Sequence, residues 1–103
     1  AEHWGLTAED ARGSNSLRSC CAAGYLAVVQ FIAEHWELTA EDARAQDYEA
    51  LRLSCSHGHL TVVQFIAEHW GLTADDARAD GNYALRKSCE YGHFAVVQFL
   101  ANH

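Results

Sequence analysis

An all-α solenoid of three stacked ~34-residue helix-turn-helix units, joined by short helical connectors, is the fold class the sequence predicts. Three observations lead there. A motif returns at a fixed interval, the apolar residues within each interval keep helical spacing, and one unit is too small to hide its own apolar face. Ala1-Glu2-His3-Trp4 recurs as Ala33-Glu34-His35-Trp36 and as Ala67-Glu68-His69-Trp70. The units are 1–32, 33–66 and 67–100, and Ala101-Asn102-His103 starts a fourth; together they form a single repeat domain, 1–103. The first unit is two residues shorter around Gly13-Ser14-Asn15-Ser16, which marks a loop.

The elements of a unit follow in order from residues 44 to 77. Glu49 to His57 opens with good helix formers and sets Leu51, Ser54 and Cys55 at the i, i+3, i+4 spacing of one helical face. Gly58 stops this first helix. His59 and Leu60 lead into Thr61 to Trp70, where Val62, Val63, Phe65, Ile66 and Trp70 form a broad apolar stripe and Gln64, Glu68 and His69 stand off it. Gly71 closes that helix in the left-handed conformation. Thr73, with Asp76 three residues on, is an N-cap pair that opens a third, short helix through Arg78. In the second unit Glu37 holds the glycine position, at a cost of about 1 kcal/mol if the left-handed conformation is kept.

Composition narrows the function. Half of the 103 residues are apolar, 20% are charged and none is proline, the balance of a folded domain. Seven Lys and Arg against fourteen Asp and Glu give a net charge of −7, the wrong sign for binding DNA, RNA or an anionic membrane surface. No stretch approaches the ~18 apolar residues of a membrane span, and the first residues lack a basic region followed by an apolar run. With reduced thiols and no signal peptide the expected location is cytoplasmic in type. A chain that opens on alanine is expected to be a processed chain, an excised fragment or an engineered protein, and the last, which has no native location, is the favoured reading.

Ala50-Leu51-Arg52-Leu53-Ser54-Cys55-Ser56-His57-Gly58-His59-Leu60-Thr61-Val62-Val63-Gln64-Phe65-Ile66 resembles the ankyrin repeat run T-P-L-H-x-A-A-x-x-G-H-x-x-V-V-x-L-L. Leu51, Gly58, His59, Leu60, Val62 and Val63 carry the match, and Leu85, Gly92, His93, Phe94, Val96 and Val97 repeat it. The first unit keeps Leu17, Gly24, Leu26, Val28 and Val29 but has Tyr25 at the histidine position. The Thr-Pro start is missing, the Ala-Ala pair is Ser-Cys, and a helical Trp-Gly-Leu-Thr-Ala-Asp-Asp-Ala-Arg stands where ankyrins carry a β-hairpin finger. The chain is therefore similar to divergent, consensus-derived ankyrin-like repeats with helical connectors. Tetratricopeptide repeats share the helical period, but their Trp-Leu-Gly-Tyr signature and proline are absent.

Comparing the second and third units separates frame from variable surface. Of their differences, seven fall in one short stretch: Gln46, Asp47, Tyr48, Glu49, Leu53, Ser56 and His57 against Asp80, Gly81, Asn82, Tyr83, Lys87, Glu90 and Tyr91. The ankyrin resemblance makes that stretch the concave face, on which partners are read. The expected partner-binding residues are Gln46, Tyr48, Leu53, Ser56, His57, Asp80, Asn82, Tyr83, Lys87, Glu90 and Tyr91. The tyrosines among them supply contact area at low entropy cost.

Catalytic and metal chemistry find little support. There is no nucleophile elbow and no phosphate-cradling glycine loop. Cys55-Ser56-His57-Gly58-His59 matches no metal-ligand spacing, and Cys21, Cys55 and Cys89 recur at one position as small core residues, too far apart for disulfides. His93 is expected to bond backbone, and Arg18, Arg52 and Arg86 to pair with acids such as Asp42 and Asp76 or with neighbouring backbone carbonyls. Trp4, Trp36 and Trp70 are expected between units, and His3, His35, His69 and His103 at the outer ends of the second helices. The expectation is a non-enzymatic scaffold for a protein or peptide partner, without cofactor or metal. The alternative is a self-associating unit that stacks head to tail through its ends, because Phe94, Val96, Val97, Phe99 and Leu100 leave the last helix apolar.

Overall fold

The computed structural model describes residues 6–7, 10 and 16–102, apart from the side chains of Gln46, Asp47 and Asp80. Gly13, Ser14, His3, Trp4 and His103 lie outside the described residues. Among the described residues seven helices follow in order: α1 Ser16–Ala23, α2 Leu26–His35, α3 Ala40–Ser56, α4 Leu60–His69, α5 Ala74–Ala77, α6 Ala79–Glu90 and α7 Phe94–Asn102. No strand occurs among the described residues. The predicted all-α solenoid is what forms: α1, α3 and α6 pack in one row and α2, α4 and α7 in another, within an envelope of 44 × 21 × 19 Å.

The apolar stripes read from the sequence are the core. Val29, Val62, Val63, Ile66 and Val96 are fully buried, with Leu38, Leu51 and Leu72 beside them. Trp70 crosses the boundary between units, its Nε1 donating to the Leu38 carbonyl at 2.9 Å. His35 and His69 lie on Phe31 and Phe65 one turn earlier, at ring separations of 4.9 and 4.8 Å.

Two predicted boundary features hold and one shifts. Each Thr-Asp pair closes a capping box: the Asp42 carboxylate accepts from the Thr39 N–H at 2.7 Å, and Asp76 accepts from Thr73 at 2.8 Å. Glu37 keeps the left-handed conformation of its glycine counterpart, with φ 50° against 60° at Gly71. In the second unit, however, the connector and first helix are not separate. Hydrogen bonding runs unbroken through α3, whereas in the third unit Arg78 interrupts α5 and α6. Tyr48 and its counterpart Asn82 are both left-handed, at φ 62° and 63°, and turn the chain inside each run. The deletion in the first unit falls in the same stretch of the repeat.

The Gly-His turns lock successive units. His59 Nε2 donates to the Ala22 carbonyl and His93 Nε2 to the Ser56 carbonyl, each at 2.9 Å. Each imidazole lies flat against the glycine of the preceding turn: a methyl group on Gly24 or Gly58 would sit 2.5 Å from the ring. Glycine is required there twice over, by φ of 79° and 73° and by this contact. The backbone-bonded role expected of His93 is therefore its role.

Cysteines divide by position. Cys21 and Cys55 are fully buried, and burial pushes the Cys55 thiol up to about 12. Cys21 is raised by its neighbour Cys20 and by burial. None of the four cysteines is in a disulfide. Cys89 departs from the expectation of a third buried thiol and is exposed, on the face of the third unit that the described residues leave open.

Candidate functional site

The first-helix face of the second and third units carries a groove of about 580 Å³ lined by Leu53, Ser56, His57, Tyr83, Lys87, Tyr91 and His93. Its construction follows from the repeat. Helical spacing puts Leu53, Ser56 and His57 on one side of α3, and the stacking of α6 brings Tyr83, Lys87 and Tyr91 opposite. His93, fixed on the Ser56 carbonyl, forms the floor where the units meet.

Tyr83 is the centre of its charge pattern. The Arg52 guanidinium lies 5.1 Å from the ring centroid, that of Arg86 5.6 Å, and the Lys87 ammonium 5.7 Å. Lys87 also reaches 5.9 Å from Tyr91 and pairs with Glu90 at 3.1 Å, which raises its pKa above the ordinary lysine value. His57 donates from Nδ1 to the Leu53 carbonyl at 2.9 Å. Tyr83, Tyr91 and Leu53 give the groove an aromatic and apolar wall on which a flat or apolar group can lie.

A second cluster lies where α5 meets α3. Asp76 is almost wholly buried and accepts from Arg44 Nε at 3.0 Å, from the Tyr48 hydroxyl and from Thr73. The Arg44 guanidinium, then Tyr48 and Thr73, hold its carboxyl well below the usual carboxylate range against the opposing effect of burial. Asp76 correspondingly raises the Tyr48 phenol above its ordinary value. Arg44 and Tyr48 from one unit and Thr73 from the next converge on one carboxylate, so the cluster ties units together.

Of the residues singled out from the sequence, Leu53, Ser56, His57, Tyr83, Lys87 and Tyr91 converge in the groove. Glu90 stands at its edge on Lys87. Tyr48 is elsewhere, on Asp76, and Asn82 is an exposed turn residue beside Leu85 and Leu100. The side chains of Gln46 and Asp80 are not described. Of the first-helix arginines, Arg18 pairs with an acid, Glu49, at 3.2 Å, and Arg86 Nε donates to the neighbouring Gly81 carbonyl at 3.0 Å, both as expected; the acid Asp76 is instead taken by Arg44, and Arg52 and Arg86 flank Tyr83. Sequence comparison missed Arg52, Arg86 and His93 because they are the same in both units, and a difference map between copies is blind to shared residues.

Among the described residues no helix is long and apolar enough to cross a membrane, and no group of three His, Cys, Asp or Glu is placed to hold a metal ion. No curated protein and no solved structure matched the chain. A family profile for ankyrin repeats in three copies matches residues 17–103, the stretch that carries the stacked helix pairs and their Gly-His locks. With helices, turns and profile in agreement, the chain belongs to the ankyrin repeat family.

Proposed function

We propose that the protein is a non-enzymatic scaffold that binds a protein or peptide partner through the first-helix face, the concave face of an ankyrin stack. Ankyrin repeats in general mediate protein–protein interaction. The observation that supports this particular face is convergence: Leu53, Ser56, His57, Tyr83, Lys87 and Tyr91, all at positions where the second and third units differ, line one groove. The near identity of the rest also supports an engineered or consensus-derived origin, with a constant frame carrying a variable surface. Panning a library of random displayed peptides against the protein, with the Tyr83→Ser/Tyr91→Ser double variant in parallel, tests the reading. Clones retained by the parent and lost on the variant support it; equal retention on both rejects it.

End-to-end association is a second reading, favoured by the bare face of the last unit. Leu85 is 38% exposed where its counterpart Leu51 is 4%. A hollow of about 290 Å³ lies among Leu85, Leu100 and Ala77, whereas around Leu51 and Ala67 the next unit leaves about 10 Å³. A methyl group on Gly92 would meet nothing within 4 Å, where one on Gly24 or Gly58 would meet an imidazole. At the opposite end Val28 and Phe31 are exposed, and Tyr25 stands where a locking histidine would be. A second copy seated on the last unit therefore buries apolar surface without completing the lock. Light scattering across a dilution series tests this: mass rising with concentration supports it, and a monomer throughout rejects it.

A further inference from the structure

The two outer faces of the stack are bare at the positions that its inner boundaries bury. Where a preceding unit packs, the second and third units are closed and the first is open: Leu6 is 59% exposed while its counterparts Leu38 and Leu72 are buried, and Val28 is 45% exposed while Val62 and Val96 are buried. Where a following unit packs, the second is closed and the third is open: Cys55 and Ala67 are buried, and their counterparts Cys89 and Ala101 are exposed. At the inner boundary Leu72 lies with Leu51 and Ala67 of the unit before it. One repeat further on, the same step brings a Leu6 side chain to Leu85 and Ala101.

Charge marks the same register. Within the chain Asp76 accepts from Thr73 on Oδ2 and from Arg44 of the preceding unit on Oδ1, at 3.0 Å. In the first unit Asp10 accepts from the Thr7 N–H on the same oxygen, Oδ2, at 2.8 Å, and it is exposed. The arginine of that position in the last unit is Arg78, which lines the open hollow with Leu85 and Leu100. Arg78 meets Asp75 at 3.4 Å, but the two side chains are 66% and 94% exposed, and a pair so open to water is exchanged at little cost. The first unit lacks only the lock, since Tyr25 stands at the histidine position.

We propose that the last unit receives the first unit of a second copy in the register of the inner boundaries, with Leu6 and Val28 of one copy covering the apolar face around Leu85 and Leu100 of the other, and Asp10 of the one on Arg78. The proposal rests on the end-to-end association described above and names its contacts. Such a contact is heterologous and leaves the same two faces at the ends of every assembly, so copies add without closing.

Light scattering over a dilution series tests it, with two variants whose fold is checked by circular dichroism. Arg78→Gln removes the partner of Asp10 and is expected to weaken association about tenfold. Tyr25→His supplies the missing lock, against Gly92 and the Glu90 carbonyl, and is expected to tighten association about tenfold, with mass climbing past the dimer. A monomer at every concentration, in the parent and in Tyr25→His alike, overturns both the association and its register. Self-association of the parent that neither variant alters overturns the register alone. A loss on Arg78→Gln without a gain on Tyr25→His means that two last units meet face to face, and overturns the head-to-tail seating. A gain on Tyr25→His without a loss on Arg78→Gln overturns the contact between Asp10 and Arg78.

Discussion

The two boundaries between units share a lock and differ in what surrounds it. At both, a histidine lies on the preceding glycine and bonds the preceding carbonyl, with the same 2.9 Å distance. Around it the first boundary has an exposed ion pair, Arg18 with Glu49, and the second has Arg52 over Tyr83. One arginine position meets an acid in one case and an aromatic ring in the other. The lock sets the spacing of the units. The second boundary is also held by Asp76, shared between Arg44 and Tyr48.

The shared lock is where substitution breaks the stack most severely. Gly58→Ala is expected to cost about 3 kcal/mol in urea denaturation, combining left-handed strain with displacement of the His93 ring. Gly24→Ala should cost about the same, since both boundaries use one geometry. Gly92→Ala meets only the backbone strain, about 1 kcal/mol, because nothing approaches that position. Equal losses at Gly58 and Gly92 would show that the ring contact is energetically idle.

Next comes the part of the second boundary that the first is not described to have. Asp76→Asn keeps a capping oxygen but removes the charge facing Arg44, at an expected cost of about 2 kcal/mol at neutral pH. The folded-state pKa of Asp76 is depressed, so its contribution is present above the ordinary carboxylate range and is lost as pH falls through about 4 and below. Thermal midpoints measured against pH should therefore fall more gently on the acid side in the variant than in the parent. Glu37→Gly runs the other way and should gain about 1 kcal/mol, by relieving the left-handed conformation of a residue with a side chain. Smallest of all is Glu49→Gln, under about 0.5 kcal/mol, as befits a largely exposed ion pair. A larger loss there would erase the proposed contrast between the boundaries.

Local physics made most of the frame legible. The interval between copies of Ala-Glu-His-Trp marked the units, the valine and isoleucine stripe marked the second helices, and Thr73 with Asp76 marked a cap, each a pattern contained within a few turns of chain. What escaped depends on partners about one repeat away. Asp76 is an ordinary N-cap acid until folding brings Arg44 and Tyr48 to it from the preceding unit. That partnership also takes Tyr48 from the recognition surface on which its variability had placed it. Cys89 has the same local setting as Cys55, and only the lack of a packed neighbour exposes it. In the groove, variability found Tyr83, Lys87 and Tyr91, but the invariant arginine that gives Tyr83 its charge comes from the preceding unit.

Because Arg52 contributes from one unit and Tyr83 from the next, the groove belongs to an adjacency and to neither repeat alone. Exchanging the middle and last units in the chain would leave the composition unchanged. It would set Arg86 against Glu49 and Arg18 against Tyr83, and it would replace the Leu53, Ser56 and His57 wall with Ser19, Ala22 and Ala23. In a stack built this way, the order of the repeats is itself a determinant of specificity.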